Sequence, residues 1–205
     1  MKKKGLLVIV SGPSGAGKGT VLSRVMSSYE NLKVAVSATT RKPREGEIDG
    51  VNYYFKSKEE FKRLIDEDAF LEYECNYGNY YGTLKSEVVS KIEQGKDVVL
   101  EIDVKGAMNI KNNKYQDAVT VFVCPTSMEV LLERLKGRGT ETPEALKIRT
   151  DSALDEIKQA DKYEFVVVND DLSECADDII AIIKSQKCTS KINKDFIQNI
   201  INGGK

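Results

Sequence analysis

Four short apolar runs punctuate the chain: Leu6–Val10, Val98–Ile102, Val119–Val123 and Phe165–Val168. Leu6–Val10 is continuous rather than alternating, as expected of a strand buried in a parallel sheet, and the other three resemble it. Between them apolar positions recur at helical spacing. Ser57-Lys58-Glu59-Glu60 reads as a capping box ahead of Phe61, Leu64 and Ile65. Thr126 with Glu129 reads as a second box ahead of Val130, Leu131 and Leu135. Thr142-Pro143 reads as N-cap and first helical residue, with Leu146, Ala153, Leu154, Ile157 and Ala160 marking one face behind it. Ser173 is the expected cap of a helix whose core face is Ala176, Ile179, Ile180 and Ile183. Strands alternating with helices predict an α/β fold, a parallel sheet flanked by helices.

Two stretches break the rhythm, and each reads as an insertion at an edge of the sheet. Residues 37–83 are rich in Tyr, Gly, Arg and Glu, and residues 134–150 are polar and Arg-rich. The expected organisation is a single domain over 1–188. Its core is 1–36, 84–133 and 151–188, and its two insertions are 37–83 and 134–150. Residues 189–205 form a polar tail that carries Ile192, Phe196, Ile197, Ile200 and Ile201, as a terminal helix or a frayed end.

Charge and composition narrow the function classes. Acidic and basic residues nearly cancel, for a net charge of −1, which argues against a nucleic-acid coat protein. The first apolar run is too short for a signal peptide or a membrane span. The expectation is a soluble cytoplasmic protein with no membrane partner; monomer and homo-oligomer both stay open. The chain has no histidine, and Cys75, Cys124, Cys175 and Cys188 lack C-x-x-C spacing. Zinc sites and Ser-His-Asp or Cys-His mechanisms are therefore set aside. Cys124, inside an apolar run, reads as a small buried hydrophobe.

The strongest motif follows the first strand: Gly12-Pro13-Ser14-Gly15-Ala16-Gly17-Lys18-Gly19-Thr20. Val21, Leu22 and Val25 continue it as a helix. A loop in this place turns its N–H groups and a helix N-terminus toward bound phosphates, and Lys18 adds a mobile charge for the β- and γ-phosphates. The strict G-x-x-x-x-G-K-[ST] pattern fails at Gly19, where the usual metal-binding hydroxyl is missing and Thr20 follows. The direct metal ligands therefore stay unassigned, and the loop does not distinguish ATP from GTP.

Ser37-Ala38-Thr39-Thr40-Arg41-Lys42-Pro43-Arg44-Glu45-Gly46-Glu47 resembles the signature of the guanylate kinase family, S-x-[ST]-T-R-x-P-R-x-G-E. Gly50 to Phe55, Phe70-Leu71-Glu72 and Gly78-Asn79-Tyr80-Tyr81-Gly82-Thr83 are similar to that family's next segments. The likeness runs from the phosphate loop to about Asp171. It implies a P-loop nucleotide kinase that moves the γ-phosphoryl group of ATP to GMP with Mg2+, in purine nucleotide metabolism. It also makes 37–83 the GMP-binding insertion and 134–150 a mobile lid. Arg41, Arg44, Tyr53 and Tyr81 then clamp the GMP phosphate, a task that suits forked, permanently charged guanidinium donors. Glu72, an acceptor-only carboxylate, suits the N1–H and N2–H of guanine and would face a lone pair on adenine. Ser37 and Thr83 resemble the remaining base contacts, and Glu47 the residue that orients the clamp. Tyr54 and Tyr80 are expected to pack.

Val98-Val99-Leu100-Glu101-Ile102-Asp103 resembles a Walker B strand, with Glu101 where the family has Asp. Asp103 is the expected acid between metal and acceptor. Arg134, Arg138 and Arg149 lie in a pattern similar to the family's lid and would stabilise the transferring phosphoryl group. Asn169-Asp170 resembles the adenine-contacting segment, with Asn169 the candidate. The rival reading is a catalytically inactive guanylate-kinase-like module that binds peptides.

Overall fold

Neighbouring residues of β1 (Leu7–Ser11) serve two different cores. Val8 and Val10, with Leu6, pack against Val21, Leu22, Val25, Ile179, Ile180 and Ile183. Leu7 and Ile9 pack on the other side, against Val88, Ile92, Val104, Ala107 and Phe122. Burial on both faces is why the run is apolar at every position. The computed structural model describes residues 4–76, 78–115, 117–136 and 143–203.

β1 is the middle strand of a five-stranded parallel sheet. It pairs with β7 (Asp97–Glu101) and β8 (Val119–Cys124), placing Ile9 beside Leu100 and Thr120. β2 (Leu32–Val34) and β9 (Phe165–Val168) complete the order β2-β7-β1-β8-β9. Helices α1 (Lys18–Ser28) and α7 (Leu172–Gln186) cover one face, and α3 (Lys85–Glu93) and α4 (Val104–Asn109) the other. The chain leaves β1 toward one edge and later fills the opposite edge, so the loops at the carboxyl ends of β1 and its neighbours diverge and open a crevice. At the other rim Asp97 is fully buried. It accepts from the Leu6 N–H at 2.9 Å, the Tyr29 hydroxyl at 2.8 Å, Asn31 Nδ2 at 3.1 Å and Lys187 Nζ at 2.8 Å.

A second sheet, of order β4-β3-β6-β5, is built from β3 (Ala38–Thr39), β4 (Tyr54–Phe55), β5 (Phe70–Asn76) and β6 (Asn79–Leu84). Helix α2 (Lys58–Asp66) lays Phe61 against Phe70 and Tyr80, with ring centroids 4.4 Å and 5.4 Å apart. Tyr54 and Tyr80 pack on this small core. No continuous apolar run announced these strands, because they are short or expose one face to the crevice.

Three helix details depart from the sequence expectation. Ser57 caps α2 as expected, accepting from the Glu60 N–H at 3.0 Å. At α5 (Met128–Lys136) the cap is Ser127 rather than Thr126, its hydroxyl accepting from the Val130 N–H at 3.3 Å. At α7 the cap is Asp171 rather than Ser173. Its carboxylate accepts from the Ser173 and Glu174 N–H groups at 2.7 Å and 3.0 Å, and its charge suits the positive helix end. Helix α6 (Pro143–Ile157) ends before Ala160, and Leu154 faces solvent at 41% exposure rather than the core. Its expected cap, Thr142, lies outside the described residues. The tail forms helix α8 (Lys194–Ile201), with Phe196, Ile197, Ile200 and Ile201 exposed. Cys124 is half-buried against the core. Among the described residues, no helix is long and apolar enough to cross a membrane.

Candidate active site

The phosphate loop occupies the turn from β1 into α1. Gly17 sits at the helix N-cap with φ +88°, and a Cβ there would lie 2.4 Å from Asn169 Nδ2. At Gly12 a Cβ would lie 2.2 Å from the Val123 carbonyl oxygen. Both positions require glycine, for a positive φ (+148° at Gly12) and for close approach. Lys18 Nζ donates to the Gly12 and Pro13 carbonyls at 2.5 Å and 3.1 Å, which holds its charge over the loop. The Ala16 carbonyl accepts from Asn169 Nδ2 at 2.7 Å and from the Arg134 guanidinium at 3.4 Å. Arg134 also donates to the Asn169 carbonyl at 3.3 Å. Helix α5 and the end of β9 thus clasp the loop from behind.

Two acids face this loop from the end of β7. Gly19 lies beside Glu101, whose Oε2 would be 3.7 Å from an added Cβ. Asp103 caps α4, its Oδ1 accepting from the Gly106 N–H at 2.7 Å, and its second carboxylate oxygen is left for other partners. Ser11 donates to the Asp103 carbonyl at 3.4 Å, tying the acid-bearing turn to β1.

The second sheet supplies the far wall. Thr83 and Glu72 are cross-strand neighbours, and the Thr83 hydroxyl donates to Glu72 Oε1 at 2.7 Å. Burial pushes the Glu72 carboxyl above its ordinary range; the Thr83 bond draws it partly back, while Glu74 and Asp103 push it up. Further along, Tyr53 and Tyr81 meet edge to face at 6.2 Å, and Arg41 lies over the Tyr53 ring at 5.4 Å. Glu47 grips Arg41 with both oxygens, at 2.9 Å and 2.8 Å, and accepts the Arg44 N–H at 2.7 Å. These donors hold the Glu47 carboxyl down to about 2, the Arg41 side chain first among them.

One cleft of about 1210 Å³ joins the two walls. Gly12, Ser14, Gly15, Gly17, Lys18, Gly19 and Thr20 line one end, Ser37, Tyr53, Glu72 and Tyr81 the other, and Glu101 and Asp103 stand between. Pro13 and Ala16 are buried in the underside of the loop, and Thr83 is buried behind Glu72. Arg41, Arg44 and Glu47 stand outside the cleft lining, next to Tyr53. Arg134 and Asn169 lie behind the loop, Arg149 is half-buried on α6, and Arg138 lies outside the described residues.

Comparison with known proteins places this architecture. The sequence model described as Guanylate kinase matches residues 4–186. The chain belongs to the guanylate kinase family. It is 50% identical to the guanylate kinase of Caldanaerobacter subterraneus subsp. tengcongensis, over 98% of this chain and 97% of that one. It is 50% identical to the Clostridium tetani guanylate kinase, over 95% of this chain and 93% of that one. The crystal structure of guanylate kinase from Anaplasma phagocytophilum superposes with a TM-score of 0.70 at 32% identity, over 92% of this chain and 89% of that one.

Within this guanylate kinase fold, sequence reasoning passed over several residues that line the cleft, Glu74, Cys75, Lys105, Asn109 and Glu156 among them. Glu74 had a legible signal: it stands two residues from Glu72, and so on the same face of a strand. Glu156 follows Arg149 by seven positions, two turns along one helix face. Burial raises the Glu156 carboxyl, Lys18 draws it down and Asp103 pushes it up, so the acid senses both sides of the cleft.

Proposed function

We propose that this guanylate kinase moves the γ-phosphoryl group of ATP to the phosphate of GMP, giving ADP and GDP, with the residue roles that follow. The observation that carries the reading is the single cleft, with a phosphate loop at one end and a carboxylate held by a hydroxyl at the other. ATP lays its phosphates along Gly12–Thr20. GMP presents its base edge to Glu72, Thr83 and Ser37, and its phosphate to Arg41, Arg44, Tyr53 and Tyr81. Glu47 fixes Arg41 before substrate arrives, which lowers the cost of ordering the clamp. Asn169 and Arg134 hold the Ala16 turn, and the adenine contact is assigned to Asn169 on the family's pattern.

A GMP phosphate oxygen attacks the γ-phosphorus in line while the bond to the ADP oxygen breaks. The attacking oxygen is already anionic, so no general base is needed, and catalysis reduces to positioning and charge. Lys18 meets the charge on the transferring group, and Arg138, Arg149 and Arg134, the last on leaving the Ala16 and Asn169 carbonyls, join it when the lid closes. Closure of the 37–83 insertion and the 134–150 lid, on the core formed by the rest of 1–188, keeps water from the γ-phosphate.

The donor set fits magnesium held by nucleotide phosphates. Glu101 and Asp103 face the loop across the cleft, and no group of three metal-ligating side chains forms among the described residues. Two carboxylates, hard oxygen donors, suit an ion that keeps most of its waters. Glu101, Asp103 and the Thr20 hydroxyl would hold that water shell. When bound, the ion neutralises charge on the β- and γ-phosphates. We place the reaction in the cytoplasm, a setting that suits four free cysteines, with small nucleotides as partners rather than nucleic acid or membrane. Lys18, retained here, disfavours the inactive peptide-binding reading.

The test is ADP formation from ATP and Mg2+ with GMP, AMP, CMP and UMP in turn, beside Lys18→Ala. Turnover with GMP alone, lost in the variant, is expected. Equal turnover with AMP or UMP overturns the guanine assignment. Absence of any acceptor-dependent turnover in folded protein overturns the enzyme reading.

A further inference from the structure

The ladder between β5 and β6 orders the acceptor wall by rungs. One rung pairs Glu72 with Thr83, and the next on the same face pairs Glu74 with Tyr81. Two residues of strand advance roughly 6.6 Å, so the second rung lies about one ribose away from the first. The direction is set by what the rungs carry. Glu72 with Thr83 is the base-reading pair, and Tyr81 meets Tyr53 under Arg41, the phosphate clamp. Glu74 therefore stands where the acceptor passes from base to phosphate. It is an exposed side chain that lines the cleft, on the strand face it shares with Glu72.

An ionised carboxylate only accepts hydrogen bonds. GMP offers it few donors. The phosphate dianion repels it, and the N1–H and inner N2–H are taken by Glu72. Toward the phosphate rung the remaining donors are the 2′- and 3′-hydroxyls of ribose. We propose that Glu74 accepts a hydrogen bond from a ribose hydroxyl of the bound nucleoside monophosphate and so sets the discrimination against an acceptor that lacks that hydroxyl. The inference rests on the reading of GMP as acceptor.

The test compares kcat/KM for GMP, 2′-deoxy-GMP and 3′-deoxy-GMP in the wild-type chain, Glu74→Ala and Glu74→Gln. The wild type is expected to prefer GMP over one of the two deoxy analogues by about ten- to hundredfold, the range for a hydrogen bond to a charged group. Glu74→Ala should bring that ratio close to one by lowering the value for GMP while leaving the analogue's value in place. Glu74→Gln keeps an acceptor oxygen without the charge and should fall between. A ratio that Glu74→Ala leaves unchanged, or an equal loss on GMP and both analogues, overturns the inference while GMP kinase activity stands. Wild-type protein that fails to phosphorylate GMP overturns the acceptor reading, and this inference with it.

Discussion

Thr83 and Glu72 face each other across the β5–β6 ladder, and the hydroxyl donates to the carboxylate at 2.7 Å. The bond counters part of the rise that burial imposes on Glu72. Thr83→Val removes it while keeping the shape. Glu72 should then take up its proton at higher pH, and the acid limb of the pH profile of kcat/KM for GMP should move upward. The buried carboxylate left short of a donor should also cost about 1–3 kcal/mol in urea denaturation. An unmoved acid limb would show that Thr83 does not tune Glu72.

Glu72→Gln separates recognition from stability. A carboxyl whose folded pKa is raised costs stability once ionised, and that cost vanishes as pH falls through its raised value. The amide variant should therefore melt higher than wild type at neutral and alkaline pH, and the difference should shrink as pH falls toward the ordinary carboxyl value of 4.5. Its kcat/KM with GMP should fall by at least about a hundredfold, because the guanine donors lose their charged acceptor.

Glu47 has the opposite sign. Its folded pKa is depressed, from 4.5 to about 2, chiefly by Arg41 and then by the Arg44 N–H. The stability it contributes is present above 4.5 and is lost as pH falls toward about 2. The difference between wild type and Glu47→Gln should follow that window in acid titrations read by circular dichroism. At neutral pH the variant should raise KM for GMP about tenfold with a smaller change in kcat, since it disorders a binding clamp rather than the transferring group.

Gly17→Ala tests the fit between the loop and β9. The added Cβ would strike Asn169 Nδ2 in a backbone held at φ +88°. A cost of about 1–3 kcal/mol and loss of ATP turnover are expected. Combining it with Asn169→Ala removes the clash but not the left-handed strain. The double variant should therefore lose less stability than the two single losses added together, and still fail to turn over ATP.

Asp97 lies at the rim of the sheet away from the phosphate loop, and it gathers four donors, Lys187 of the α7 terminus among them. Asp97→Ala leaves that lysine without its buried partner and should cost about 3–5 kcal/mol. Where the variant remains folded, kcat/KM for GMP should stay within about twofold of wild type, because structural and catalytic ends of the sheet are separate sites.

Local chemistry already announced the phosphate loop, the four core strands and the family of the chain. The glycines and the lysine fall within nine consecutive positions between an apolar strand and a helix, and such a signal is read without knowing what lies across from it. The same holds for Ser57, whose cap is made three residues away. Contacts between distant residues are another matter. The second sheet is held by cross-strand pairs such as Ala38 with Gly82, whose side chains carry no apolar period. The shift of two caps, to Ser127 and Asp171, follows from where each preceding strand ends, which neighbouring strands decide. Glu74, Glu156 and the grip of Asn169 on Ala16 span 153 residues at the widest, and only packing brings such groups within a hydrogen bond. Short-range patterning thus carries the elements and the loop motif, while the partners of each charged group depend on which segments the sheet order makes adjacent.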